Sequence, residues 1–115
     1  MSVQVLKPGP LSSLQDGGRP GYAALGIGRA GAADWPAWRL ANALVGNRGD
    51  EAALEFTLAG PTLRFEQAAT IALTGAPAAA RADGRPLPAW TCCRLPAGSV
   101  LSIGGMARGC RGYLA

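Results

Sequence analysis

The sequence has no histidine. That removes the commonest general base and the commonest metal ligand. Its three cysteines are Cys92, Cys93 and Cys110. An adjacent pair plus one distant residue has neither zinc spacing nor C-x-x-C redox spacing, so no metal site is expected. Neighbouring cysteines on a strand point to opposite faces, which reads as small buried apolar side chains in a reducing cytosol. Lysine occurs once, at Lys7, and aromatics make up 6%. The arginines are scattered from Arg19 to Arg111 with no basic block, so the net charge of +4 does not describe a nucleic-acid surface. No apolar run approaches the ~20 residues of a membrane span. The opening MSVQVLKPGP lacks the basic and apolar regions of a secretory signal. No membrane segment is expected, and a cytoplasmic location is. G-x-x-x-x-G-K-[ST], the loop that cradles nucleotide phosphates, is also missing.

What remains is globular: 49% hydrophobic and 16% charged residues over 115 positions, the length of one domain. Glycine is plentiful, with 17 residues. Gly26-Ile27-Gly28-Arg29-Ala30-Gly31 satisfies G-x-G-x-x-G, the dinucleotide fingerprint. Its surroundings do not. That fingerprint needs a buried strand before it and a helix starting on the glycines. Here the preceding Gly21-Tyr22-Ala23-Ala24-Leu25 is too short and glycine-flanked, and the helical pattern begins later, at Asp34. An aspartate at that N-cap would occupy the place of the pyrophosphate.

The one convincing helix runs near residues 34–46. Asp34 is the N-cap, Pro36 sits in the first turn, and Gly46 closes it. Ala37, Leu40, Ala41 and Leu44 form its apolar stripe. Elsewhere the period is two. Val3 to Leu6, Leu54 to Leu58, Thr62 to Phe65, Thr70 to Leu73, Trp90 to Leu95, Ser99 to Ile103 and Gly112 to Ala115 read as short strands, with a hairpin turn at Ala82-Asp83-Gly84-Arg85. The expected fold is mainly β, a barrel or sandwich with one helix inserted early, in a single domain over residues 1–115. The last strand reaches Ala115, which points to an incomplete barrel, a fragment of a larger one, or a barrel that borrows strands from a second copy.

Several blocks, in order, resemble the biotin-dependent carboxyltransferase family. They are Pro8-Gly9 with Ser13-Leu14-Gln15-Asp16-Gly17-Gly18-Arg19-Pro20-Gly21-Tyr22, then Gly31-Ala32-Ala33-Asp34, Arg39 to Asn47, Leu54 to Leu63, Ile71 to Ala76 and Asp83-Gly84-Arg85-Pro86. The family includes the C-type subunit of 5-oxoprolinase, the second subunit of allophanate hydrolase and a region of urea carboxylase. The resemblance covers the N-terminal portion of such a subunit. It implies a cyclophilin-like β-barrel and a B-type partner subunit. It implies ATP in the complex, biotin as a second candidate cofactor, and a cyclic or urea-type amide as substrate. Activity is then expected in the complex and not in this chain alone. Two other readings stay open: a partner-binding module that antagonises a kinase-inhibitor protein, and an inactive fragment.

Both family activities develop negative charge beside a carbonyl, which calls for fixed N–H donors, guanidinium groups and amides. The candidates are Gln15, Asp16 and Arg19 for catalysis, with Asn42 and Glu55 for substrate binding. Arg19 would clamp a carboxylate or phosphate, Gln15 and Asn42 would donate to a carbonyl, and Asp16 would orient Arg19 or accept from an amide. Each has a plainer alternative. Asp16 and Arg19 pair with each other or cap backbone, Asn42 bonds nearby backbone, and Glu55 is solvated or paired with Arg64. Trp35, Trp38 and Trp90 read as core or interface.

Overall fold

The computed structural model describes residues 2–115. Ten strands and one α-helix follow the alternation of apolar and polar residues. They are β1 (Val3–Lys7), β2 (Ser12–Gln15), α1 (Trp35–Leu44), β3 (Ala53–Thr57), β4 (Thr62–Phe65), β5 (Ala69–Gly75), β6 (Ala78–Ala82), β7 (Arg85–Pro86), β8 (Cys92–Leu95), β9 (Val100–Met106) and β10 (Arg111–Leu114). They form two sheets, ordered β1-β4-β9-β6-β7 and β2-β3-β10-β5-β8, with every pairing antiparallel. The sheets do not join edge to edge into a closed barrel. The fold is mainly β with one helix, an incomplete barrel, as the sequence pattern implies.

Two cores hold it. Between the sheets lie Phe56, Leu63, Phe65, Ile71, Leu73, Leu101, Ile103 and Leu114. Burying each such side chain contributes about 1.5–3 kcal/mol. The second core lies on the other face of the second sheet, where α1 packs Ala37, Trp38 and Ala41 against Ala53 and Tyr113. The period of two explains this division. Along β5, Ile71 and Leu73 face the inter-sheet core, while Thr74 turns to the helix and donates to the Ala37 carbonyl at 2.7 Å. Along β10, Leu114 faces one core and Tyr113 the other. These central strands are therefore buried on both faces, and a slip of one residue would exchange the two cores.

Helix α1 begins as its sequence dictates: the Asp34 carboxylate accepts from the Ala37 N–H at 3.2 Å. Its buried face differs from the expected stripe. The buried residues are Ala37, Trp38, Ala41 and Asn42, and Leu40 is 42% exposed. The helix is turned so that two N–H donors point inward. Trp38 Nε1 and Asn42 Nδ2 both donate to the Glu51 carbonyl, at 2.9 and 2.8 Å. The apolar count favoured Leu40. Satisfying the buried Trp38 and Asn42 N–H donors favours this rotation.

Two further expectations are corrected. Cys92 and Cys110 are exposed and Cys93 is half-buried, all with free thiols. None belongs to the buried core: Cys92 and Cys93 lie on β8, the end strand of the second sheet, and Cys110 lies in the bend before β10. Trp90 is half exposed on a bend with positive φ, outside the core. Strands β2 and β6 form although their sequences, SSLQ and AAARA, carry little strand propensity. Pairing with β3 and β9 holds them in place.

Candidate functional site

One polar row crosses the helix-facing side of the second sheet. The register sets Ser13 opposite Glu55, Glu55 opposite Tyr113, and Tyr113 opposite Thr74. Gln15, two residues along β2 on the same face, donates its amide to Ser13 Oγ at 3.0 Å. Glu55 is buried here, against the expectation of a solvated residue or a partner for Arg64. Its Oε2 accepts from the Tyr113 hydroxyl at 2.6 Å and from the Ala33 N–H at 2.9 Å. Tyr113 Oη in turn accepts from the Asp34 N–H at 2.8 Å. Arg111 Nε stands 3.7 Å from Glu55 Oε1. Burial, reinforced by the bond to Glu55, holds the Tyr113 phenol neutral and far above its usual pKa. The sheet thus grips the two residues that lead into α1 through the Glu55 carboxyl group and a neutral phenol.

The loop so held is pressed against the QDGGR segment. Ala32 N donates to Asp16 O at 2.8 Å, and Arg19 N donates to Arg29 O at 2.7 Å. Glycine is required where the two strands of chain touch. Gly18 and Gly31 have φ of +79° and +86°. A Cβ on Gly18 would lie 2.5 Å from the Arg29 and Ala30 carbonyls, and one on Gly31 would lie 2.5 Å from Gly18 N. The glycine pattern that imitates a dinucleotide loop is chain against chain. Of its N–H groups, those of Gly26 and Ile27 donate to the Ala23 and Tyr22 carbonyls at 3.0 and 3.2 Å, and in the facing segment Gly18 N donates to Asp16 Oδ1 at 2.8 Å. Asp16 therefore caps backbone and does not pair with Arg19.

Beside this double loop lies a cleft of about 680 Å³, lined by Asp16, Gly17, Gly18, Trp35 and Trp38 together with Arg29, Arg39, Arg48 and Asp50. Trp35 and Trp38 meet edge to face at 5.3 Å. The Arg29 guanidinium stacks 4.2 Å above the Trp35 ring.

Of the candidates named from sequence, the structure brings Asp16 into the cleft. Gln15 and Glu55 belong to the polar row that supports it. Asn42 is fully buried, with its amide on Glu51 O and its oxygen accepting from Asn47 Nδ2 at 3.1 Å. The Arg19 side chain is exposed and outside the cleft lining. Sequence reasoning missed Arg29, Arg39 and Arg48. One signal was present: Trp35, Trp38 and Arg39 stand at i, i+3 and i+4, on one helix face.

Residues 25–115 match the family model for the carboxyltransferase domain, subdomain A and B. This chain belongs to that carboxyltransferase family. It is 44% identical over 115 residues to the C-type subunit of 5-oxoprolinase from Escherichia coli (strain K12), an alignment that spans 98% of this chain and 36% of that protein. It is 40% identical over 114 residues to urea amidolyase of Saccharomyces cerevisiae, spanning 98% of this chain and 6% of the relative. Among solved structures, the K. lactis urea amidolyase superposes with a TM-score of 0.95 at 37% identity, over 98% of this chain and 7% of that one. The carboxyltransferase chain thus spans about a third of the length of its 5-oxoprolinase relative, and a far smaller share of the urea enzymes.

Proposed function

We propose that this chain is the N-terminal portion of a subunit in an ATP-dependent complex that acts on a small cyclic or urea-type amide, with a B-type subunit as its partner. The observation that carries this reading is the cleft beside α1, where guanidinium groups, indoles and a carboxylate are set on a doubly braced loop. Likeness to the C-type subunit of 5-oxoprolinase supports the lactam as substrate. In lactam opening, water adds to the ring carbonyl, the C–N bond breaks, and the ring nitrogen leaves as an amine. ATP drives the step by hydrolysis to ADP and phosphate. Negative charge on the carbonyl oxygen is greatest midway, and fixed N–H donors stabilise it there.

In this reading Asp16 fixes the loop at the cleft and Gln15 braces it through Ser13, while the donors at the cleft are the guanidinium groups of Arg29 and Arg39 and not that of Arg19, which lies outside the lining. Glu55 and Asn42 act by position: Glu55 holds the loop into α1, and Asn42 holds the Glu51 carbonyl at the helix flank. The glycine pattern does not present a helix N-terminus to a phosphate, because α1 begins only at Trp35 and its first turn is capped by the Asp34 carboxylate. In this reading the nucleotide is held by another part of the complex. A biotin carrier, where one is used, is likewise assigned by this reading to another part of the assembly. Reconstitution with the other subunits tests this. The expected result is a stoichiometric complex with phosphate release dependent on 5-oxoproline or urea. A stable complex active on neither overturns the reading.

A further inference from the structure

The cleft beside α1 holds cationic groups that the fold leaves uncommitted. Arg29 donates Nε to the Gly17 carbonyl at 2.9 Å and lays its face on Trp35. Its two terminal nitrogens have no partner among the described residues. Arg39 rises from α1 one turn after Trp35, is exposed, and has neither hydrogen bond nor ion pair among the described residues. Its guanidinium lies over Gly49, where an added Cβ would stand 3.5 Å from a terminal nitrogen. Arg48 is paired with Asp50 at 3.0 Å, but both side chains are well exposed, and such a pair opens at little cost. Three guanidinium groups thus face two carboxylates, and one of those, Asp16, already caps the Gly18 N–H.

Arg29 is also pre-organised. Its Nε bond and the indole beneath it fix the plane of the guanidinium, so a ligand gains two parallel N–H···O bonds without ordering the side chain. A planar anion with two oxygens at the spacing of a carboxylate matches that fork. Trp35 and Trp38 supply an apolar wall for whatever the carboxylate is attached to.

We infer that this cleft binds a small carboxylate borne on a flat ring or amide, through the free guanidinium edges of Arg29 and Arg39, with the indoles against its apolar part. The inference rests on the proposed function and narrows it. 5-Oxoproline carries a carboxylate beside its lactam and urea carries none, so the cleft assigns the chain to the carboxylate-bearing class of amide substrates.

The test is a titration of the 15N-labelled 115-residue chain, which needs neither ATP nor a partner. The probes are 5-oxoproline, 2-pyrrolidinone (the same lactam without the carboxylate), urea and inorganic phosphate. The expected result is saturable movement of the Trp35 indole N–H and the Gly17 and Gly18 amides with 5-oxoproline alone. Arg39→Gln, an exposed position, keeps a dispersed spectrum and weakens that binding about tenfold, the size of one charge-assisted bond. Equal shifts with 2-pyrrolidinone, no saturation with 5-oxoproline, tighter binding of phosphate, or unchanged affinity in Arg39→Gln each overturn the inference. Loss of turnover in the reconstituted complex with carboxylate binding intact would sink the proposed function and leave this site standing.

Discussion

Two clefts among the described residues are similar in size and opposite in character. The one beside α1, about 680 Å³, is lined by arginines, aspartates and indoles. The other, about 570 Å³, opens between the sheets and is lined chiefly by Val3, Val5, Leu14, Leu54, Leu63 and Phe65. The first is braced from within the chain by Glu55, Tyr113 and the paired loops. The second is flanked by β1 and β2, which are the end strands of their sheets, and every residue of β1 is exposed. Polar clefts need fixed geometry, so their walls are tied by directional bonds. An apolar cleft needs only cover, and its open state leaves apolar side chains and strand edges in water.

The sharpest break of this contrast is in the wall of the polar cleft. Trp38 is 2% exposed and anchors both the helix and the Glu51 carbonyl. Trp38→Ala should cost about 3–5 kcal/mol in urea unfolding. A loss under about 1 kcal/mol would show that α1 is held by other contacts. Next in size is Tyr113→Phe. It strips a partner from the Asp34 N–H and from Glu55 in a buried setting. About 2 kcal/mol should be lost, and the amides of Ala33 and Asp34 should exchange faster with solvent.

The same phenol sets a pH limit. Its pKa is raised on folding by burial and by the bond to Glu55, so the fold favours the neutral form. The stabilisation is complete below the unfolded value of about 10 and is lost as pH rises beyond it, by at most about 1.4 kcal/mol per unit. Urea midpoints compared at about pH 8 and about pH 11, on either side of that value, should fall for the parent and fall less for Tyr113→Phe. Parallel declines would deny Tyr113 the role. The smallest effect belongs to the apolar cleft. Val5 is 59% exposed on β1, so Val5→Lys should change stability by about 0.5 kcal/mol or less while raising the concentration at which the chain aggregates. A loss of about 2 kcal/mol would mean that β1 is packed more tightly than its exposure indicates.

Local chemistry was legible wherever neighbours in sequence decide it. Asp34 caps α1, Asp83-Gly84 turns β6 into β7, and β4 runs from Thr62 to Phe65 as the alternation predicts. Glu55 was legible as polar but not as buried. Its partners, Tyr113 and Ala33, lie 58 and 22 residues away in the chain. The three cleft arginines were equally hidden, since Arg29 and Arg48 sit in different loops and reach Arg39 only when the chain folds.

A mainly β chain with one capped helix, without histidine chemistry and with membership of a recognisable family, is legible from the residues alone. Periodicity, caps and turns are local properties, and several matching blocks are too many for chance. Which face of α1 is buried, why Gly18 and Gly31 must be glycine, and where positive charge gathers emerge only once the chain is folded. Each of these depends on contacts between segments remote in sequence. Strand register and loop-on-loop packing set those contacts, and no local pattern encodes them.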